Sequence, residues 1–107
     1  MRNAEWRLMQ NYPNPFRQTT SIKYEVGSGN GKNTSYFSLP TSHLSLKIYN
    51  IAGQLVRTLV DAKQSTGYYS VKWDGRDENN KSVANGVYFY HLQAGDYAST
   101  KKMILLK

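Results

Sequence analysis

The chain has no cysteine. Disulfides, thiolate metal sites and cysteine nucleophiles are therefore excluded. The compartment is not fixed by this, because a secreted domain does without disulfides where its core suffices. Long apolar runs are also missing. The longest aliphatic run, Met103 to Leu106, is strand-sized and far short of the ~20 residues that cross a bilayer as a helix, so no membrane insertion is expected. Met1 to Arg7 lack the charged-then-apolar layout of a signal peptide, and the chain reads as a piece of a larger protein. Acidic residues are scarce, seven against fourteen Lys and Arg, for a net charge of +7 and a pI near 9.7. That imbalance invites a nucleic-acid or anionic-surface reading. No segment shows a run of apolar residues at helical spacing.

What is present is β-prone. The 107 residues (12.2 kDa) suit one domain, and aromatic residues make up 13%, with nine tyrosines, which fit pleated, half-buried surfaces. Asn11-Tyr12-Pro13-Asn14-Pro15-Phe16 is a stiff, turning segment, since each proline fixes its own φ and pushes its predecessor out of the helical region. Ile22, Tyr24 and Val26 then alternate with polar residues, as do Leu44, Leu46 and Ile48, and later Tyr69, Val71 and Trp73; period two predicts strands with one buried face. A short strand is expected at Ser35–Leu39. Gln54 to Val60 reads as a strand with a blurred period, covered on both faces or lying at an edge, and Asp61 to Gly67 as a polar connection. Val87 to Gln93 and Tyr97 to Leu106 are strands joined at Ala94-Gly95-Asp96. Six to eight short strands fit a β-sandwich or a small barrel. Residues 1–20 read as a linker and Pro-Asn-Pro turn, and residues 21–107 as the domain, with Ile22, Leu46, Ile48, Trp73, Tyr88 and Tyr90 in its core.

Catalytic chemistry finds little purchase. His43 and His91 stand far apart, neither with a second ligand at metal spacing. There is no nucleophile elbow and no phosphate loop. Asp74-Gly75-Arg76-Asp77-Glu78-Asn79-Asn80 gathers oxygen ligands and loosely suggests calcium, but it departs from the EF-hand order, and a turn with Asx hydrogen bonds accounts for it. No pair of carboxylates is singled out for glycoside hydrolysis. No enzyme activity, cofactor or metal is expected. Lysines and arginines are scattered one per strand or loop, and the adjacent Lys101 and Lys102 point to opposite faces of their strand. This suits solvated faces and edge protection rather than nucleic-acid binding.

Motif order narrows the choice. Leu8 to Phe16 followed by Thr19-Thr20-Ser21-Ile22-Lys23-Tyr24 resembles the opening of the type A sorting domain at the C-terminus of type IX secretion cargo. Leu46 to Val56 with its turn at Gly53, Gly67 to Asp77 with Trp73-Asp74-Gly75, Val83 to Tyr90 with Gly86 and Tyr88, and Lys101 to Lys107 match the later blocks in order. The resemblance spans Leu8 to Lys107. The same fold is similar to the immunoglobulin-like domain of the flagellar hook-capping protein. The departure is Gly27 to Pro40, longer than in most relatives, in what reads as the hairpin from the first strand to the next.

The resemblance implies an all-β, immunoglobulin-like sandwich of about seven antiparallel strands. It implies a non-catalytic sorting and anchoring module that follows a cargo domain in its parent chain. Its partners are the outer-membrane translocon and the surface-attachment machinery. Its location is secreted or at the cell surface of a Gram-negative bacterium, reached through the periplasm. The expected recognition element is Lys101, Lys102, Met103, Ile104, Leu105, Leu106 and Lys107, a final edge strand that also permits β-augmentation or an edge-strand dimer. Pro13, Asn14, Pro15, Phe16, Gly53, Trp73, Asp74, Gly75, Gly86, Tyr88 and Gly95 read as structural. Two alternatives stand beside it: a structural immunoglobulin-like spacer or hook-cap-like assembly domain, and a carbohydrate-binding accessory module of a secreted enzyme that uses exposed Tyr36, Tyr68 and Tyr97.

Overall fold

The computed structural model describes residues 5–27 and 41–107. The described residues form strands β1 (Arg7–Leu8), β2 (Thr20–Val26), β3 (Thr41–Tyr49), β4 (Leu55–Ser65), β5 (Gly67–Trp73), β6 (Gly86–Ala94) and β7 (Tyr97–Leu105). They build two antiparallel sheets, ordered β1-β2-β5 and β4-β3-β6-β7. Two separate sheets make a sandwich rather than a barrel. Period-two alternation turns Ile22, Tyr24 and Val26 of one sheet towards Leu44, Leu46, Ile48, Tyr90, Leu92 and Met103 of the other, all buried. Trp73 fills the end of this core between Phe16 and Tyr88, with ring centroids 5.6 and 5.4 Å away. Such tilted and edge-on contacts are favoured by the ring quadrupole. The six residues expected in the core are buried, while Tyr69 and Val71, expected on a buried face of β5, are half-buried against it.

Four features differ from the sequence reading. The lead-in is part of the sandwich: β1 pairs with β2, and Leu8 and Phe16 (1% exposed) lie in the core. The chain from β2 to β3 crosses between sheets and is not a hairpin; the expected strand at Ser35–Leu39, like Tyr36, lies outside the described residues. β4 continues through Asp61 to Ser65, where a connection was expected. This half of the strand lies at a sheet edge, where charged side chains are tolerated and needed against pairing, so Asp61 and Lys63 are strand residues with no apolar alternation to betray them. Finally, β4 carries two register shifts that leave Leu59 and Val56 without a partner on β3. Each extra residue flips the face of the strand residues beyond it, and that produces the blurred period of residues 55–60.

At the far end of β6, Ala94 pairs with Tyr97 across a two-residue turn, and Gly95 sits at φ 54°, a left-handed conformation that costs a side-chain-bearing residue roughly 1 kcal/mol or more.

Candidate functional site

The sequence motifs converge at one end of the sandwich, where β2 begins and β5 and β7 end. The turn before β2 is held from inside. The Asn11 side chain, 2% exposed, donates through Nδ2 to Thr20 Oγ1 (2.9 Å) and to the Pro13 carbonyl (3.2 Å), and Thr20 Oγ1 donates to the same carbonyl (2.8 Å). The Asn11 N–H donates to the Tyr90 phenol (2.8 Å), which donates in turn to the Met9 carbonyl (2.8 Å). Burial pushes the Tyr90 phenol up to about 12, with the Asn11 N–H pulling modestly the other way. The Tyr12–Pro13 and Asn14–Pro15 peptide bonds are cis. Prolines bring no N–H that the turn must satisfy. Tyr12 pairs its backbone with Ser21 of β2, while Asn14 turns its side chain and Phe16 its backbone to β7.

There the turn closes the outer edge of the last strand. Ile104 N–H donates to Asn14 Oδ1 (2.9 Å), Phe16 N–H to the Ile104 carbonyl (2.9 Å), and Leu106 N–H to the Phe16 carbonyl (2.9 Å). Phe16 and Leu105 thereby form a parallel bridge. Gln10 Nε2 adds a bond to the Lys102 carbonyl (2.7 Å). In an antiparallel pair, alternate residues turn their backbone groups outward; Ile104 does so, and Lys102, Thr100 and Ala98 share its orientation. The clamp therefore takes the outward groups of β7 near its C-terminal end and leaves those at Ala98 and Thr100 beyond it.

The 74–86 turn completes this end. Trp73 Nε1 donates to the Arg76 carbonyl (2.9 Å). Asp74 Oδ1 accepts the Arg76 N–H, and Asp77 Oδ1 accepts those of Asn79 and Lys81. Both carboxylates thus serve as Asx-type turn acceptors, and among the described residues no three His, Asp or Glu side chains gather as a metal site. Gly75 (φ 73°) would place a Cβ 3.5 Å from Leu105. The Tyr88 phenol, raised by burial, donates to the Ala84 carbonyl (2.7 Å). Gly86 opens β6 opposite Leu105. Gly53 lies in the β3–β4 turn, whose Ala52 and Gln54 N–H groups are capped by Asn50 Oδ1.

The seven residues expected to carry recognition do not form one surface. Met103 and Leu105 are fully buried. Lys101 pairs with inward-facing Tyr90 and is half-buried; Lys102 pairs with outward-facing Phe89 and is exposed. Leu106 and Lys107 are exposed. The opposite-face placement of the two lysines follows from their adjacency. Sequence reasoning missed the part played by Asn14 and Gln10. The available signal was an Asn between two prolines, the one side chain there able to stand in for a missing strand partner. The histidines are separate: His43 Nε2 lies 2.7 Å from Asp61, and His91 bonds Thr100 and Gln93.

Two facing antiparallel sheets with this strand order define an immunoglobulin-like sandwich. The family model for the FlgD Ig-like domain matches residues 19–97, and the chain belongs to that family. No curated protein sequence matches it significantly. Among solved structures it is similar to dimeric latent PorU from Porphyromonas gingivalis, at 20% identity and TM-score 0.68, over 99% of this chain and 10% of that one. It is also similar to PorZ, described as an essential surface component of the type IX secretion system of the same bacterium, at 20% identity and TM-score 0.56, over 92% of this chain and 11% of that one. The chain thus spans about a tenth of the length of each structure.

Proposed function

We propose that the chain is a non-catalytic sorting and anchoring module that takes a cargo, carried in the same polypeptide, through the outer membrane by type IX secretion and to the cell surface. The observation that carries this reading is the recurrence of the whole fold as about a tenth of PorU and of PorZ, the latter a surface component of that system. The clamp supports it. A folded module without disulfides that crosses the periplasm must hold its terminal strand in place, and Asn14, Phe16 and Gln10 do so. The partners are the translocon and the surface-attachment machinery. The contact surface is the exposed part of β7, with Lys102 on its outer face and the outward backbone groups near Ala98 and Thr100 available for strand addition.

The test is to fuse residues 1–107 behind a fluorescent protein bearing a signal peptide, in a host with type IX secretion. Surface or medium fluorescence is expected, with loss on deleting residues 103–107. Fluorescence confined to the periplasm for the intact fusion contradicts the proposal. The family match on its own equally favours a structural immunoglobulin-like spacer, and that reading predicts periplasmic retention. Tyr68 and Tyr97, read as carbohydrate platforms, lie on different sheets, and Tyr97 is stacked on Trp6 at 5.4 Å.

A further inference from the structure

A cleft of about 570 Å³ opens beside the clamp, where three segments distant in sequence meet. Its walls carry Arg17 and Thr19 from the lead-in, Asp74, Arg76 and Ser82 from the long turn, and Lys107. Three of these side chains are cations and one is an anion. Neutral acceptors hold two of the cations in place. Arg76 Nη1 donates to the Asn80 carbonyl (3.0 Å), and Lys107 Nζ donates to the Val83 carbonyl (2.8 Å). Lys107 is fixed further by its N–H on Asn85 Oδ1 (3.0 Å). A carbonyl orients a cation without neutralising it. The one side-chain carboxylate, Asp74, is paired with Arg76, since its Oδ1 accepts the Arg76 N–H and its other oxygen lies 3.9 Å from Arg76 Nε. The α-carboxylate of Lys107 adds a second negative charge in the 107-residue chain, and Arg17 is left as the cleft's cation with no carboxylate beside it among the side chains of the walls. Arg17 is exposed and directly follows Phe16, whose backbone is bonded to β7 on both sides.

We propose that this cleft binds an oxyanion carried on a small polar body, such as a sugar bearing a phosphate or a carboxylate. Guanidinium forks match the paired oxygens of such groups, and the Thr19 and Ser82 hydroxyls supply neutral donors. The volume falls within the range of small-ligand pockets and exceeds what a lone ion needs, which leaves room for a monosaccharide-sized body. The cleft is distinct from the edge of β7 used in the proposed secretion contact, and the inference stands whether or not that contact exists.

The test is a titration of the isotope-labelled 107-residue chain with inorganic phosphate, glucose 6-phosphate and glucuronate at low, matched ionic strength, with potassium chloride as the blank, read by NMR. Saturable shifts are expected at the Arg17 and Arg76 Nε–H groups and at the Thr19, Ser82 and Lys107 amides, with glucose 6-phosphate tighter than inorganic phosphate. A response to glucose 6-phosphate without glucuronate assigns a phosphoryl ligand, and the reverse assigns a carboxylate; either supports the cleft. Arg17→Gln should weaken binding about tenfold or more, the usual size for a charge-assisted hydrogen bond, while unshifted core amides such as Leu46 report an intact fold. Lys47→Gln removes the same charge from the outer face of β3 and should leave affinity unchanged. Shifts reproduced by potassium chloride, no saturation with any probe, or equal weakening by Lys47→Gln would overturn the proposal.

Discussion

The two ends of the sandwich are closed by different means. At the end where β7 stops, closure is polar and long-range. Asn14 and Phe16 bond β7 across about 90 residues of chain, Trp73 caps the Arg76 carbonyl, and Lys107 is tied to Asn85 and Val83. The outer edge of β4 is stitched at the same end, with Glu78 N–H on the Val56 carbonyl and Thr58 N–H on the Glu78 carboxylate. At the other end aromatic stacking carries more of the closure, beside two polar bonds, Thr66 Oγ1 to the Gly27 carbonyl (3.2 Å) and the Tyr24 phenol to Gln64 Oε1 (2.7 Å). Trp6 stacks on Tyr97 and lies so close over Gly27 that a Cβ there would meet its ring at 2.5 Å, and β6 returns to β7 through two residues. Polar closure needs particular side chains at particular positions, because each buried or edge-on group must find its own partner. The stack of Trp6 on Tyr97 needs only a fitting shape. Most of the motif blocks visible in the sequence, from Pro13–Phe16 to Lys101–Lys107, meet at the polar end for this reason.

The contrast is open to measurement. The largest effect is expected from Phe16→Ala, which empties a buried site beside Trp73 and should cost about 3 to 5 kcal/mol in denaturant unfolding; a loss no greater than that of Tyr97→Ala, at the half-buried stack of the other end, would show that the apolar packing at the two ends is alike. Next comes alkaline pH. The folded chain raises the Tyr90 phenol from 10.0 to about 12 and lifts those of Tyr24 and Tyr88. The folded state therefore keeps protons that the unfolded state gives up, so stability is full below about pH 10 and falls as pH rises from there towards 12. Unfolding midpoints between pH 8 and 12 should show this slope, and Tyr90→Phe should flatten it while lowering stability at pH 8. Gly75→Ala, at φ 73° against Leu105, should cost about 1 to 2 kcal/mol, visible as a lower melting temperature; an unchanged one would mean the turn relaxes freely. Asn14→Ala removes one edge hydrogen bond and should cost about 1 kcal/mol. Asp61→Asn, which weakens the exposed His43 pair, should change stability by no more than about 0.5 kcal/mol.

The sandwich was legible in the sequence wherever one face is buried. Ile22-x-Tyr24-x-Val26 and Leu44-x-Leu46-x-Ile48 alternate because polar neighbours take the other face, while residues 87–93 read as a strand from their β-prone character alone, with Val87, Phe89 and His91 half-buried on the other face. Legibility failed at the edge. Residues 61–65 of β4 are held by pairing to β3 and by charge, and neither leaves a period. It failed again at the bulges, where Leu59 and Val56 break the count. The candidate site was half legible. The blocks at residues 8–16 and 101–107 stand out in the sequence, yet nothing in it shows that they touch. That contact is made by backbone groups and by two amide side chains, Asn14 and Gln10, and it spans nearly the whole chain. Met103 and Leu105 show the cost of reading a terminal stretch as a surface, because alternation sends every second residue of it into the core.

The most direct test is native-state hydrogen exchange of the β7 amides. If the lead-in clamps the last strand, the Ile104 and Leu106 amides are protected nearly as well as those of Tyr88 and Tyr90 in neighbouring β6, while those of Ala98 and Thr100 exchange far faster. Ile104 and Leu106 exchanging as fast as Thr100 would show that the two blocks are not joined in solution, and would contradict the account.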